Sequence, residues 1–422
     1  MKLRLDYGTT GLLAEFPDDR TTVIEPVSVP AAPDQHGTLV AALRKPFGKP
    51  PLRELARPGQ RIAISVCDIT RAQPRQAMLE ALFSELPGVR LEDVTILIAT
   101  GTHRRNHPEE IERMLGPEFA RSCRIVCHDA RDVASLVHAG ETRSGVRVLL
   151  NRRWMESDFK ITTGFVEPHF FAGFSGGPKM VAPGLAGLDT VMELHNAPRI
   201  GHPNATWGVT EGNPIHDDVR EIAGMTGVDF ALDVTLNRDQ QITEAFAGEL
   251  LREHAAACTA AKQNAMRRVP RPFDVVITTN SGYPLDQNLY QAVKGMSAAA
   301  KIVRQGGTII CAAECRDGIP DHGAYGQILA SRSSPQELLA MIMAPGYSRP
   351  DQWQVQIQAQ IQAKAEVLLK TGYLRADQVR AAHFEPIDDI STAVDDALQR
   401  AGRDATLCVL PQGPQTIPYI LN

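Results

Sequence analysis

The sequence of 422 residues has few of the features that mark specialised structural classes. It contains only seven cysteines, an odd and thinly spread number that does not make a disulfide framework. A formal net charge of −5 lacks the basic excess of a general binder of nucleic acid or anionic membranes. No apolar run is long enough to span a bilayer, and residues 1–8 lack the apolar stretch of a signal peptide. We therefore expect a cytoplasmic protein without nucleic-acid or membrane partners.

Short apolar runs alternate with amphipathic stretches along the chain, which is the pattern of α/β architecture. Strands are expected at residues 61–68, 93–100 and 274–282, and helices at residues 249–268 and 353–370. This alternation predicts an α/β fold.

The chain is longer than one hydrophobic core usually supports, so at least two domains are expected. A basic, proline-bearing stretch at residues 267–274 is the best candidate boundary. We predict an N-terminal α/β domain over residues 1–270 and a C-terminal α/β domain over residues 271–422. An active site in the cleft between them is the default arrangement.

Residues 167–179, EPHFFAGFSGGPK, combine a histidine, aromatic side chains, several glycines and a lysine without hydrophobic periodicity. Because this composition costs backbone entropy and buries little apolar surface, we expect it to bring the backbone close to a ligand. The lysine is not that of a Walker A loop, since no Ser or Thr follows it; it is either a phosphate-binding ammonium or a nucleophile that tethers a cofactor. The groups expected to face the ligand are His169, Ser175, Gly176, Gly177 and Lys179.

Polar residues also follow two of the predicted strands, where open α/β sheets usually bind ligands. Asp68, Thr70 and Arg71 follow the first strand, and the guanidinium can bind a carboxylate or phosphate through two hydrogen bonds. A capping aspartate beside a surface arginine explains these residues equally well. His103 follows the second strand beside glycine and arginine, which suits acid–base catalysis, although loop histidines often only form hydrogen bonds.

Five further residues, in three parts of the chain, allow two interpretations each. His195 lies near a helix end, where histidine is usually a cap, and only its neighbours favour a metal-ligand role. Tyr290, Gln291 and Lys294 share one helix, either at a ligand or on a solvated face. Trp353 is more often a core aromatic than a ligand platform.

Taken together, five motifs that contain these residues, apart from Trp353, resemble the nickel-dependent lactate racemase family. The motifs are DITRAQP at 68–74, GTHR at 101–104, PHFFAGFSGGPK at 168–179, ELHN at 193–196 and LYQAVKG at 289–295. The resemblance implies two α/β domains joined by helices, with the active site between them. It also implies an isomerase, a racemase or epimerase, that inverts C2 of a small 2-hydroxy acid such as lactate or malate by reversible hydride transfer. Arg104 and Arg105, beside His103, leave a dicarboxylate substrate such as malate open.

The resemblance further implies a cofactor, the nickel pincer nucleotide (the nickel complex of pyridinium-3,5-bisthiocarboxylic acid mononucleotide). Lys179 matches the lysine that carries this group covalently, and His195 matches the histidine that completes the nickel coordination. His103 and His169 match the acid–base pair on opposite faces of the substrate. Proteins that synthesise the cofactor and insert nickel are the implied partners. The residues expected at the substrate are Arg71, Tyr290 and Lys294, and those expected at the cofactor are Asp68, Thr70, Arg71, Ser175, Gly176, Gly177, Gln291 and Trp353.

Two other functions are compatible with the same residues. A pyridoxal-phosphate enzyme would use Lys179 as its Schiff-base lysine, but would leave His103, His195 and Lys294 without roles. A non-catalytic protein that binds a phosphorylated nucleotide would tolerate replacement of His103 and His169.

Overall fold

The structure is a computed structural model, and it describes residues 1–321 and 323–420. The strands in this part of the chain are β1 Lys2–Leu5, β2 Leu12–Glu15, β3 Thr21–Val23, β4 Ile62–Cys67, β5 Val94–Ala99, β6 Arg124–Cys127, β7 Leu136–Glu141, β8 Arg147–Asn151, β9 Phe159–Phe165, β10 Pro168–His169, β11 Gly173–Phe174, β12 Phe230–Leu236, β13 Ile242–Gly248, β14 Met266–Arg268, β15 Phe273–Thr279, β16 Val303–Ala312, β17 Ala365–Lys370, β18 Glu385–Pro386, β19 Leu407–Leu410 and β20 Ile417–Tyr419.

The α-helices of the same residues are α1 Gln35–Arg44, α2 Arg75–Ser84, α3 Pro108–Leu115, α4 Pro117–Ser122, α5 Arg152–Met155, α6 Leu188–Leu194, α7 Ala197–Ile200, α8 Pro214–Thr226, α9 Leu250–Ala265, α10 Leu289–Ala300, α11 Tyr325–Leu329, α12 Pro335–Ile342, α13 Gln352–Lys364, α14 Ala376–Ala381 and α15 Ile390–Ala401. The α/β class predicted from the sequence is confirmed. No helix of the described residues is long and apolar enough to cross a membrane.

One expected element is wrong in its second half. The helix predicted at residues 353–370 ends at Lys364, and the chain continues as strand β17. This strand pairs in parallel with β16, and its Val367, Leu368 and Leu369 are buried. Pairing and burial therefore decide the conformation, although the preceding Gln- and Ala-rich stretch favours continuation of the helix.

The chain divides into two compact units, one of which comprises Ser28–His195 and Asn204–Asn264. Its six-stranded sheet has the order β13-β12-β9-β4-β5-β6, and only the β12–β13 pair is antiparallel. All six residues of β4, IAISVC, are buried, as expected of a central parallel strand covered on both faces. The carboxyl ends of β4, β5 and β9 consequently lie at one edge of the sheet, where the polar motifs begin.

The other unit comprises Met1–Val27, Asn196–Pro203 and Ala265–Asn422. Its six-stranded sheet has the order β18-β17-β16-β15-β19-β3, with every pair parallel. The change of unit after Asn264 lies close to the boundary expected at residue 270. The units are not continuous in sequence, however, because the amino-terminal strand β3 pairs with β19 at the edge of this sheet.

Candidate active site

His103 and Asp68 follow the adjacent parallel strands β5 and β4, and a hydrogen bond joins their side chains. The distance from His103 Nδ1 to Asp68 Oδ2 is 2.7 Å. The Asp68 residue is 2% exposed, whereas the side chain of His103 is 45% exposed. Because a carboxylate can only accept, Nδ1 carries the proton, and a neutral His103 presents the lone pair of its Nε2.

Asp68 is held in its charged form by its neighbours. Burial favours the neutral acid, but the hydrogen bond and charge of His103, the charge of Arg71 and the Thr70 hydroxyl together lower the pKa of Asp68 below its ordinary value. Thr70 donates to Asp68 Oδ1 from its backbone N–H at 3.2 Å and from its hydroxyl at 2.7 Å. Arg71 in turn donates to the Thr70 hydroxyl oxygen at 2.9 Å. Asp68 therefore caps its own turn and also orients His103.

The two arginines beside His103 are engaged in ion pairs. Arg104 contacts both carboxylate oxygens of Glu110, at 2.8 and 2.6 Å. Arg105 lies 3.0 Å from Asp129. Both arginines are thus paired with acidic side chains in this structure, and a dicarboxylate substrate such as malate stays a prediction.

The ring of Phe171 brings three of the expected residues together. The ring centroid lies 4.5 Å from that of His169, 5.1 Å from that of His195 and 5.7 Å from the Nζ of Lys179. Phe171 itself is 6% exposed. Two imidazoles and an ammonium thus lie around one buried apolar ring.

A tight hairpin positions His169 in this cluster. Strands β10 and β11 are two residues each, and His169 pairs with Gly173. Gly173 has a φ of +79°, and a Cβ there would overlap the carbonyl oxygen of Val209, so only glycine fits. His169 Nδ1 accepts a hydrogen bond from the N–H of Ala172 at 3.2 Å, so a neutral His169 carries its proton on Nε2.

His195 is buried, and a hydrogen bond fixes its tautomer. It follows α6, is 6% exposed, and donates from Nδ1 to the carbonyl of Val191 at 2.7 Å. Burial, and to a smaller extent the charge of Lys179, lower the pKa of His195 to about 4 despite this hydrogen bond. The ring is therefore neutral at pH 7, with the lone pair on Nε2, the form in which histidine binds metals.

No group of three or more His, Cys, Asp or Glu side chains placed to hold a metal ion occurs in residues 1–321 and 323–420. A metal at His195 would therefore take its other ligands from a bound group rather than from a protein cage.

The glycine-rich turn between His169 and Lys179 is engaged within the protein. Ser175 Oγ accepts from the N–H of Glu167 and donates to the carbonyl of Phe165, both at 2.9 Å. The N–H of Gly177 donates to Asp233 at 2.7 Å. Gly176 has a φ of +69°, and a Cβ there would lie 2.8 Å from a methyl group of Val166. In this structure these groups shape the turn, and the phosphate contacts expected of Ser175, Gly176 and Gly177 stay predictions.

The remaining expected residues lie in the other unit, on α10 and at the start of α13. Tyr290, Gln291 and Lys294 on α10 are each half-buried, so they do not form a fully solvated face. Trp353, at the start of α13, is 7% exposed and donates from Nε1 to the Tyr290 hydroxyl at 3.2 Å. Trp353 is thus a core aromatic that also contacts a candidate substrate residue.

Sequence reasoning missed four buried polar side chains that contact the turn: Asn213, His216, Asp233 and His254. One of them had a signal, because Asp233 stands in the middle of the otherwise apolar strand β12, FALDVTL. The two histidines lie within helices α8 and α9, where nothing in the local pattern distinguishes them.

Comparison with known proteins places this chain in a family. The family profile described as the lactate racemase N-terminal domain matches residues 7–208, and that of the lactate racemase C-terminal domain matches residues 269–417. A lactate racemase of Thermoanaerobacterium thermosaccharolyticum is 34% identical over 421 residues, which is 98% of each chain. A lactate racemase of Lactiplantibacillus plantarum is 37% identical over 380 residues, which is 89% of each chain.

Solved structures agree with these matches. The lactate racemase apoprotein from Thermoanaerobacterium thermosaccharolyticum superposes with a TM-score of 0.92 at 33% identity, covering 99% of this chain and 100% of that one. A protein from Thermotoga maritima shares the fold alone, with a TM-score of 0.70 at 18% identity over 93% of this chain and 100% of that one. The chain therefore belongs to the lactate racemase family.

Proposed function

We propose that this isomerase inverts C2 of a small 2-hydroxy acid, lactate first, with the help of a nickel pincer nucleotide attached to Lys179. The observation that best supports this proposal is the arrangement around Phe171. There, Lys179, His169 and a buried, neutral His195 all lie around one phenylalanine ring. The curated relatives are named lactate racemases, and the chain matches them over nearly its whole length.

The residues present fit such a cofactor. Lys179 would hold it covalently, and His195 would donate its Nε2 lone pair to the nickel. A single histidine donor suits a metal whose other ligands belong to the tethered group. When bound, the cofactor supplies reversible hydride acceptance, which avoids removing the very weakly acidic C2 hydrogen as a proton.

The two candidate acid–base histidines have complementary proton positions. Asp68 keeps the proton of His103 on Nδ1, so a neutral His103 can take the proton of the substrate hydroxyl at Nε2. Ala172 donates to His169 Nδ1, so Nε2 is the atom of His169 that would exchange a proton with the substrate. His169 can return a proton only from its imidazolium form, which gives up the hydrogen bond from Ala172. His103 is thus prepared as the base, whereas His169 must gain a second ring proton before it acts as the acid. Because each enantiomer needs both roles in turn, the roles exchange when the substrate of opposite hand reacts.

Arg71 is the proposed partner of the substrate carboxylate in this unit, since its guanidinium stands beside Asp68 and Thr70. Tyr290 and Lys294 are proposed substrate contacts, and Gln291 and Trp353 proposed cofactor contacts, because they fall on the matching family motif and its surroundings. Proteins that make the cofactor and insert nickel are proposed partners.

The test is production of the protein with nickel and the cofactor-making enzymes, followed by peptide mapping of Lys179 and by loss of optical purity of L- and D-lactate. We expect a sulfur-containing nucleotide adduct on Lys179 and racemisation in both directions. Lys179→Arg should lose both, whereas Lys262→Arg, at an exposed lysine of α9, should keep both. An unmodified Lys179 under conditions that load a known lactate racemase would overturn the proposal.

A further inference from the structure

Four buried side chains hold the backbone of residues 171–177, which connects His169 to Lys179. We call Asn213, His216, Asp233 and His254 the anchor cluster. Their residues are 0%, 1%, 1% and 3% exposed, in that order. The contacts are Asn213 Nδ2 to Phe171 O at 2.9 Å, His216 Nδ1 to Ala172 O at 3.1 Å, His254 Nε2 to Ser175 O at 2.9 Å, and Gly177 N to Asp233 Oδ2 at 2.7 Å.

The two histidines of the cluster act through defined nitrogens. A backbone carbonyl only accepts, so His216 donates its Nδ1–H and His254 donates its Nε2–H. Burial lowers the pKa of His216 to about 3 and that of His254 to about 4, so both rings are neutral at pH 7. The rings stack with centroids 5.6 Å apart and planes inclined by 14°. Neither ring is thus available as a charged group, and each offers the loop one directed donor.

The loop needs such donors because its own sequence gives it little rigidity. Gly173, Gly176 and Gly177 all have positive φ, in a conformation that glycine adopts at high entropic cost. A Cβ on Gly177 would overlap the ring of His254, so the backbone packs directly against that ring. Burying a polar side chain costs free energy unless the side chain is hydrogen-bonded, and each of the four side chains forms a hydrogen bond with the loop backbone.

We propose that His216 and His254 are positioning residues: by donating to Ala172 O and Ser175 O, they fix the loop so that His169 and Lys179 keep their relative placement. This inference rests on the proposed function for the roles of His169 and Lys179. The contacts of the loop backbone with His216 and His254 are independent of it.

Amide side chains allow a test in which only the donor position changes. A glutamine places its N–H₂ near the position of a histidine Nε2, and an asparagine places it near that of Nδ1. His254→Gln and His216→Asn therefore keep the donor, whereas His254→Asn and His216→Gln misplace it. His128 is the matched control, because it is 1% exposed and contacts the carbonyl of Ala186 through Nε2 at 2.9 Å, away from residues 171–177.

The first measurement is amide hydrogen exchange of a peptide covering residues 170–178 in the apoprotein, with thermal unfolding recorded for every variant. We expect exchange to be about tenfold faster in His254→Asn and His216→Gln, as for the loss of one hydrogen bond, and near wild type in the donor-keeping variants. His128→Asn should change the unfolding temperature without changing exchange in this peptide. The inference would be overturned if exchange were equal in His254→Gln and His254→Asn, and also equal in His216→Asn and His216→Gln.

The second measurement uses protein loaded with cofactor. We expect kcat to fall on the order of 10- to 100-fold in the donor-misplacing variants with KM little changed, and to be restored in the donor-keeping variants. Equal kcat within each pair would also overturn the positioning role. Failure of the proposed function can be told apart from failure of the positioning role. The former shows in wild type as a missing Lys179 adduct or missing racemisation. The exchange result depends on neither.

Discussion

The imidazole of His103 and the carboxylate of Asp68 form a hydrogen-bonded pair, 2.7 Å from Nδ1 to Oδ2, between motifs 35 residues apart in the chain. The carboxylate is buried and the imidazole is partly exposed, so Asp68 is held within the protein while His103 is accessible to a ligand. This is the arrangement by which a carboxylate selects the tautomer of a catalytic histidine.

The pair predicts the effect of Asp68→Asn. An asparagine can turn its N–H₂ toward Nδ1, which moves the imidazole proton to Nε2 and removes the base. We expect kcat for racemisation to fall at least about 100-fold, measured from the loss of optical purity of lactate.

The control for that variant is Asp158→Asn, because Asp158 pairs with Arg61 at the opposite, amino-terminal ends of β9 and β4. Both variants lose one carboxylate that pairs with a residue next to strand β4 or its neighbour in the same sheet. A similar fall of kcat in both would show that Asp68 acts through stability rather than through His103.

His169→Asn separates the acid–base role of His169 from its part in the hairpin. The asparagine Oδ1 can still accept from Ala172, so the turn should stay formed and Lys179 should still receive its adduct. Because racemisation needs both histidines in succession, we expect both directions to slow by about 10²- to 10⁴-fold. If neither direction slowed, the two-histidine scheme would be contradicted.

His195→Ala tests the metal role without relying on turnover. We expect the adduct on Lys179 to persist in the mapped peptide, while nickel is lost to a chelator at least about tenfold faster, since a protein donor is missing. His138→Ala, at an exposed histidine of β7 in the same unit, should retain nickel like wild type. Equal nickel retention in His195→Ala and wild type would exclude His195 as a ligand.

The sequence predicted those parts of the site that depend on local rules. Asp68 and His103 follow buried strands, and the strand-end rule brings them together without knowledge of their contact. The neutral state of His195 could not be predicted, because it depends on burial and on the carbonyl of Val191. His216 and His254 were missed for a similar reason, since their function lies in contacts with a loop distant in sequence.

A buried pair of carboxyl groups lies behind the glycine-rich turn. Glu253 is 0% exposed, and burial, with the charge of Asp233, raises its pKa well above the ordinary value. Burial also raises the pKa of Asp233 to about 7, although Gly177 donates to it. The folded protein therefore retains a proton at Glu253 that the unfolded chain releases above about pH 4.5. Stability from this group is complete at lower pH and is lost as the pH rises.

Glu253→Gln should remove the loss of stability at higher pH, because the amide resembles the protonated acid at every pH. We expect the free energy of unfolding of the variant, relative to wild type, to increase between pH 5 and 8 by up to about 1.4 kcal/mol per pH unit. Urea unfolding at four pH values in this range measures the difference. Glu244→Gln, at an exposed position of β13, should show no such trend. A difference in the free energy of unfolding between Glu253→Gln and wild type that stays constant from pH 5 to 8 would contradict this. It would mean that Glu253 is ionised in the folded protein.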